Sequence, residues 1–393
     1  VTQKGRKLLI IYPYEWLAYA PTVLRLHETF SGDFDVRVIA YDGGGFCREK
    51  VEHDGIEYVR LPGVMQRLAL KLSRRFPSLE KRWHFFHIAR ALHLWYLLRN
   101  SDADEVFASD YSGMWVAQKA FSTGAARLHF LSLEIYDSDV FAARIAVDRV
   151  ASAVVQSPQR AEWLFPAAKP RLFYVQNAPT AQALPSKLSS PRTEPGNAPL
   201  GLVYCGTPLP RFGILRVLEF LREYPEFRLT IQGLMNGTSE EVLKPYARLT
   251  AEGRLVVNRK YISSTELLPW LNRYTVGFCF YDFDHLPEDQ FNYRTVPSGK
   301  LFNYFAAGVP VVGIDIPGLR PVREFDAGVL IDDLSPSAIA AAVRQVQARR
   351  THYAANCARA AAHYSFDRMV QPFRDFVLEP DKAAVGPSSA AST

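Results

Sequence analysis

Short apolar runs alternate with longer stretches of helical period along most of the chain. Residues 7–12 (KLLIIY) form a continuous apolar run of the kind found in a strand covered on both faces. The segment 21–30 reads as the helix that follows it. Further strands are predicted at 36–41 (VRVIAY), 55–61, 105–108 (EVFA), 127–133, 153–156 and 173–176. Between them, 64–99 holds helical pattern broken near Pro77, 112–123 reads as a helix, and so does 159–165. Residues 181–199 break the alternation: LPSKLSSPRTEPGNAP has no apolar period and reads as a linker. The alternation then restarts, with strands at 200–204, 227–232, 255–257, 276–281, 309–312 and 329–331. Helices are predicted at 213–223, 264–273, 301–307, 335–349 and 365–378. No internal repeat or heptad pattern is present. Strand and helix in strict succession predict an α/β fold with parallel sheets, and the linker predicts two such units.

The chain has 393 residues, enough for two domains of ordinary size. Hydrophobic residues make up 48% and charged residues 22%, which excludes a disordered chain. The cysteines Cys47, Cys205, Cys279 and Cys357 are scattered, with no CxxC pair or Cys/His cluster. No metal site is therefore expected, and a reduced, cytoplasmic setting is. The run at 7–12 is too short for a signal-peptide core, and no apolar run reaches the ~18–20 residues that cross a bilayer.

The formal net charge is +6 with a pI near 9.0, which suits phosphorylated substrates, anionic membrane surfaces or nucleic acid. The charge is concentrated. Arg67, Lys71, Arg74, Arg75, Lys81, Arg82 and Arg90 face a single nearby acid, Glu80, and are interleaved with Phe76, Trp83, Phe85, Phe86 and Trp95. This stretch fits a segment lying on an anionic membrane at the inner face. It fits a pair of core helices with solvated basic faces equally well. Nucleic acid is not expected, because no recognition motif accompanies the charge.

The most specific stretch is 294–313, RTVPSGKLFNYFAAGVPVVG. A Pro-Ser-Gly-Lys turn opens a short helix that Gly308 stops before an apolar strand. Helix N-termini attract anions, and a glycine there lets backbone N–H groups approach a ligand. Lys300, Ser298 and Gly299 are thus candidates for an anion site, most naturally a phosphate. The bland alternative is an ordinary loop–helix–strand corner with a solvated lysine.

The segment resembles the donor-binding region of GT-B glycosyltransferases. The matching residues are Pro297, Lys300, the triplet Phe302-Asn303-Tyr304, and Ala307-Gly308-Val309-Pro310-Val311-Val312. Ser157 after Val154-Val155, and the turn Val175-Gln176-Asn177-Ala178-Pro179, are similar to other landmarks of the same group. The resemblance covers roughly residues 100–315, and its order and spacing weigh more than any one piece. It implies two Rossmann-like α/β domains facing a central cleft: an acceptor-binding domain at 1–180, a linker at 181–199 and a nucleotide-sugar-binding domain at 200–364. It also implies a C-terminal helix, 365–380, that crosses back to the first domain. Residues 381–393 are small and polar and are expected to be disordered.

What the resemblance implies chemically is sugar transfer from a nucleotide-diphosphate donor to a saccharide acceptor. That acceptor is lipid-linked if the role is bacterial surface polysaccharide assembly. A UDP-sugar is slightly preferred to a GDP-sugar, with no further cofactor. Donor contacts are expected from Lys300, Ser298 and Gly299, then from Arg211 after the Gly206 turn, then from Arg294. Asn303 would hold the ribose, and Tyr261 and Ile262 the base. Many retaining relatives carry a pair of glutamates where this chain has Thr295 and Asn303, so the stereochemical outcome stays open. An inverting reaction needs a general base, for which the strand-end residues Asp110, Glu134 and Asp137, and Glu15 in the loop after the first strand, are candidates. Each has the alternative role of capping a helix or pairing with an arginine. Two rivals remain: a nucleotide-sugar epimerase of the same build, and a degenerate binding or scaffold protein.

Overall fold

The computed structural model describes residues 5–42, 53–79, 84–124, 126–135, 140–167, 169–184, 200–233, 235, 237–260, 262–286 and 290–379. Most of the expected linker, the expected disordered tail, Asp137, Tyr261 and the Glu80–Trp83 part of the basic stretch lie outside these residues. The chain divides into two compact units. Unit 1 takes the chain up to Val175 together with Met369 onward, and unit 2 takes Gln176–Arg368. The division falls a few residues before position 180, ahead of the expected linker.

Unit 1 is built on seven parallel strands: β1 (Lys7–Tyr12), β2 (Asp35–Tyr41), β3 (Ile56–Val59), β4 (Glu105–Ser109), β5 (Arg127–Leu131), β6 (Ser152–Val155) and β7 (Arg171–Tyr174). Their order is β3-β2-β1-β4-β5-β6-β7. Its helices are α1 (Pro21–Phe30), α2 (Gly63–Arg75), α3 (Phe85–Leu98), α4 (Asp110–Ala120) and α5 (Pro158–Leu164). The apolar run of β1 sits at the centre with Ile10 and Ile11 fully buried, as a strand covered on both faces requires.

Unit 2 has six strands: β8 (Leu200–Cys205), β9 (Phe227–Gln232), β10 (Leu255–Asn258), β11 (Val276–Cys279), β12 (Val311–Ile314) and β13 (Gly328–Ile331). They are parallel, in the order β10-β9-β8-β11-β12-β13. Helices are α6 (Ile214–Glu223), α7 (Gly237–Leu243), α8 (Ala247–Ala251), α9 (Ser264–Leu271), α10 (Phe291–Thr295), α11 (Gly299–Ala306), α12 (Arg320–Glu324), α13 (Pro336–Ala348) and α14 (Arg350–His363). The last helix, α15 (Phe366–Leu378), leaves unit 2 after Arg368. Phe373 is fully buried against Phe107 and Phe173 of unit 1, with ring centroids 5.1 and 5.4 Å away. Burying one such ring contributes about 2–3 kcal/mol.

Several helices escape the sequence pattern. Residues 350–363 (RTHYAANCARAAAH) form α14, but its buried face is Tyr353, Asn356, Cys357, Ala360 and Ala361, too small and mixed to register as an apolar stripe. The short α7 and α8 lack a stripe for the same reason. The strand expected over 127–133 ends at Leu131. Beyond it, the N–H groups of Leu133 and Glu134 turn to a side chain described below.

One polar row lies inside unit 1. Glu105, wholly buried, pairs with Arg6 and with Arg127 (3.1 Å), and its other oxygen meets His129 Nε2 at 2.7 Å. His129 Nδ1 meets Ser152 Oγ at 2.7 Å. Burial lowers the His129 pKa, so the ring is neutral. Glu105, Arg127 and Ser152 are the first residues of their strands, at the edge opposite the carboxyl ends where α/β sheets bind ligands. The row is structural.

Candidate functional site

In both sheets the strand order reverses once, between β1 and β4 in unit 1 and between β8 and β11 in unit 2. Such switch points open a crevice at the carboxyl ends of the strands. The candidate residues gather at these two places.

In unit 2, Ser298 stands in extended backbone before α11, without a side-chain cap bond, and its carbonyl accepts from Leu301 N at 2.9 Å. The helix buries Leu301, Phe302, Tyr304 and Phe305. Tyr304 ties it to the neighbouring strand, its hydroxyl accepting from Cys205 N at 2.9 Å. Lys300 then extends to the end of β8. Its Nζ lies 4.6 Å from the Tyr204 ring centroid and 5.8 Å from that of Phe212. A Cβ on Gly206 would sit 3.6 Å from the same nitrogen, and Gly206 has a φ of 124° that favours glycine. The ammonium therefore rests against bare backbone at the switch point.

Among the described residues, no carboxylate pairs with Lys300 and no hydrogen bond holds it. Burial pushes its pKa down, and the Cys279 and Cys205 thiols nearby act in the other direction. Both thiols are themselves pushed up to about 12 by burial, so at neutral pH they are uncharged. A desolvated cation beside a helix N-terminus, with no counter-charge among the described residues, is an environment that favours an anion.

The other donor candidates are placed unequally. Arg211 is exposed, its guanidinium 5.0 Å from the Phe212 ring, and its carbonyl accepts from Asp282 N at 3.0 Å just past β11. Phe212 in turn meets Tyr281 and Tyr293. Arg294 is exposed, lies 3.9 Å from the Phe283 ring centroid and donates to Gln290. Gly299 faces Asn177, whose Nδ2 would stand 3.2 Å from an added Cβ. Asn303 and Ile262 are half-buried. Thr295 is buried and its hydroxyl donates back to Phe291 O at 2.7 Å within its own helix. Two neighbours have no motif to announce them, Gln232 and Asn258, which bond each other at 2.5 Å. Asn177 at the helix entrance belongs to a turn already singled out in the sequence, but without a role in the site. Gln232 also donates to Lys260 O at 3.1 Å, at the ends of β9 and β10.

In unit 1 the switch point holds Asp110. It is 1% exposed and has a left-handed φ of 53°, which costs energy for a residue other than glycine. Its Oδ1 accepts from Leu133 N (2.7 Å) and Glu134 N (3.0 Å), and its Oδ2 from the Tyr14 hydroxyl (2.9 Å). Three loops, after β1, β4 and β5, thus converge on one carboxylate. Burial pushes its pKa up to about 7 against the pull of those bonds. Tyr14 stacks on exposed Trp16 at 5.4 Å. Glu134 is exposed beside this cluster. Glu15 is held in an ion pair with Arg90, the structural alternative foreseen for such carboxylates. Tyr14 and Trp16 carry no signal in sequence beyond their aromatic character. Among the described residues, no group of three His, Cys, Asp or Glu side chains could hold a metal ion.

Solved structures with this architecture exist. Sucrose-phosphate synthase from Thermosynechococcus elongatus superposes with a TM-score of 0.64 at 15% identity, covering 96% of this chain and 100% of that one. Anabaena HepE in complex with UDP and glucose gives 0.64 at 14%, covering 96% and 100%. A putative UDP-N-acetylglucosamine 2-epimerase from Listeria monocytogenes gives 0.59 at 13%, covering 98% and 99%. The fold is GT-B. At these identities the GT-B likeness speaks for architecture alone. No protein-family model matches the chain. A curated D-inositol 3-phosphate glycosyltransferase from Geodermatophilus obscurus is 39% identical over 88 residues. That match takes in 22% of this chain and spans only 19% of the relative's length.

Proposed function

We propose that this protein is a glycosyltransferase that moves a hexose from a nucleotide diphosphate to a saccharide acceptor. The observation that carries the reading is the uncompensated Lys300 ammonium at the unit 2 switch point. A diphosphate would supply the missing charge, with the α11 N-terminus and Ser298-Gly299 donating backbone N–H groups. In this reading Lys300, helped by Arg211 and Arg294, also stabilises charge on the departing nucleotide without a metal ion. Gln232, Asn258 and the loop through Ile262 offer polar groups to the base, and Asn303 an amide to the ribose. UDP is the first nucleotide to try, because HepE binds it in the same fold.

For the acceptor, Asp110 is the general base we favour. A carboxylate with a pKa near 7 both holds and releases a proton at working pH. Trp16 offers an exposed aromatic face to a sugar ring beside it. A lipid-linked acceptor in bacterial surface polysaccharide assembly, met by peripheral contact with an anionic membrane, accords with the basic and apolar character of 64–99. No helix among the described residues is long and apolar enough to cross a membrane.

The test begins with calorimetry and thermal shift against UDP, GDP, ADP and dTDP. A ligand that binds only the native state raises Tm by mass action. Binding of one nucleotide, abolished in Lys300→Ala, is the expected result. Binding of none overturns the donor-site assignment. Product analysis with donor alone separates a transferase from the epimerase alternative, which would convert the sugar without an acceptor.

A further inference from the structure

The surface of unit 1 is not uniform. Nine of the thirteen large apolar side chains that are exposed among the described residues fall between Val64 and Leu97, on or between α2 and α3. The rest of the surface is ordinary, so this cluster calls for a partner. Within α2 only Ala69 is buried, and the helix packs on α3. Val64 and Leu68, 69% and 56% exposed, stand one helical turn apart on its outer side. In α3, Leu92, Trp95 and Tyr96 are exposed at matching spacing, and Arg99 extends the same line with its guanidinium 4.0 Å from the Tyr96 ring.

The charge on these helices has one sign. Arg67, Lys71, Arg74 and Arg75 lie in α2 and Arg99 just after α3, and neither helix contains an acid. Arg90 of α3 does not add to this charge, because it is paired with Glu15. Apolar side chains flanked by cations on a helix pair describe an interfacial surface. The apolar groups enter the headgroup region, and the lysine and arginine stems reach anionic lipid. A second copy of this chain would bring cations against cations, which disfavours self-association through the same face.

We propose that α2 and α3 dock unit 1 onto an anionic lipid bilayer. The inference deepens the membrane contact proposed above and, for its purpose, rests on that reading: it names the surface that brings the acceptor-side unit to a lipid-linked sugar. Docking itself needs neither nucleotide nor catalysis, so the two can fail separately.

The experiment is co-sedimentation of the full chain with vesicles of phosphatidylcholine, and with vesicles that also contain phosphatidylglycerol, in low and high salt. UDP binding is measured in parallel without vesicles. Binding to the anionic vesicles only, weakened by salt, is expected. The double variant Arg67→Glu/Lys71→Glu should reduce it by at least about tenfold. Leu68→Glu should reduce it too, and neither should alter UDP affinity. Absence of vesicle binding with UDP binding intact overturns this inference alone. Vesicle binding that both variants leave unchanged overturns the assignment to α2. Concentration-dependent dimerisation abolished by Leu68→Glu overturns it in favour of a homotypic interface.

Discussion

The two switch points share a topology and differ in what they have done with their charge. In unit 1, Asp110 is surrounded by donors from the chain itself, two backbone N–H groups and the Tyr14 hydroxyl. In unit 2, Lys300 is surrounded by two aromatic rings, two neutral thiols and a glycine turn. The acid is fully provided for, yet burial still pushes its pKa up to about 7. The lysine has no counter-charge among the described residues, and burial pushes its pKa down. The first arrangement makes a group that exchanges a proton. The second makes a group that waits for an anion from outside the chain. In the proposed reading, one fold supplies proton transfer and charge stabilisation from two equivalent positions.

The hardest test of this contrast is Lys300→Ala. Removing one partner of a buried charge pair costs about 2–5 kcal/mol of binding, so nucleotide affinity should fall by roughly thirtyfold to several thousandfold. Circular dichroism should stay native, because among the described residues the side chain makes no hydrogen bond or ion pair that ties one element to another. Affinity within twofold of the parent would remove Lys300 from the site. Next comes Asp110→Asn, which keeps the shape but loses the base. Turnover should fall by about a hundredfold or more with nucleotide affinity unchanged. If Asn is tolerated there while Glu134→Gln abolishes turnover, the base is Glu134, and Asp110 only fixes the loop that carries it.

The contrast also predicts opposite pH dependences of stability. Asp110 has a raised folded pKa, so it binds more protons folded than unfolded between its ordinary 3.8 and about 7. Its ionised form therefore costs stability that is absent at low pH, grows through that window and is complete above it. Lys300 has a lowered folded pKa, so its cost is complete below that pKa and is relieved as pH rises toward its ordinary 10.5. Asp110→Asn should raise Tm on the alkaline side, by an amount worth on the order of one to a few kcal/mol, and Lys300→Met should raise it at neutral pH. A Lys300→Met protein less stable than the parent at neutral pH would mean that the ammonium has an internal partner after all.

How far could these two places be seen in the sequence? The unit 2 site was legible because its chemistry is local. Pro297, Ser298, Gly299 and Lys300 are consecutive, and the strand–turn–helix pattern around them fixes where they stand. The unit 1 site was legible only as four separate carboxylates. What distinguishes Asp110 from Glu15 is a set of contacts from residues far apart in sequence, namely Tyr14, Leu133 and Glu134 against Arg90. Neither hydrophobic period nor spacing encodes those. Gln232 and Asn258 were missed for the same reason, and Asn177 reads in sequence as part of a turn and not as a neighbour of Gly299. The fold itself was legible because apolar strands buried on both faces leave a continuous signal. The helix at 350–363 buries mostly small side chains and left none.

The smallest and sharpest perturbation is Tyr14→Phe. It removes one hydrogen bond to Asp110 Oδ2 and no charge, and the ring can remain stacked on Trp16. That bond favours the ionised carboxylate, so without it the Asp110 pKa must rise further above about 7. If Asp110 is the base, the acid limb of the kcat/KM profile moves to higher pH, by up to about one unit for a bond worth about 1 kcal/mol. The alkaline plateau should be nearly preserved, since there the carboxylate is ionised in both proteins. Stability at pH 8 should fall by a similar 1 kcal/mol or so. A purely structural tyrosine would lower Tm and leave the limb where it was. The two readouts therefore separate a bond that tunes a proton acceptor from one that merely closes a loop, and they do so without disturbing the lysine in the other unit.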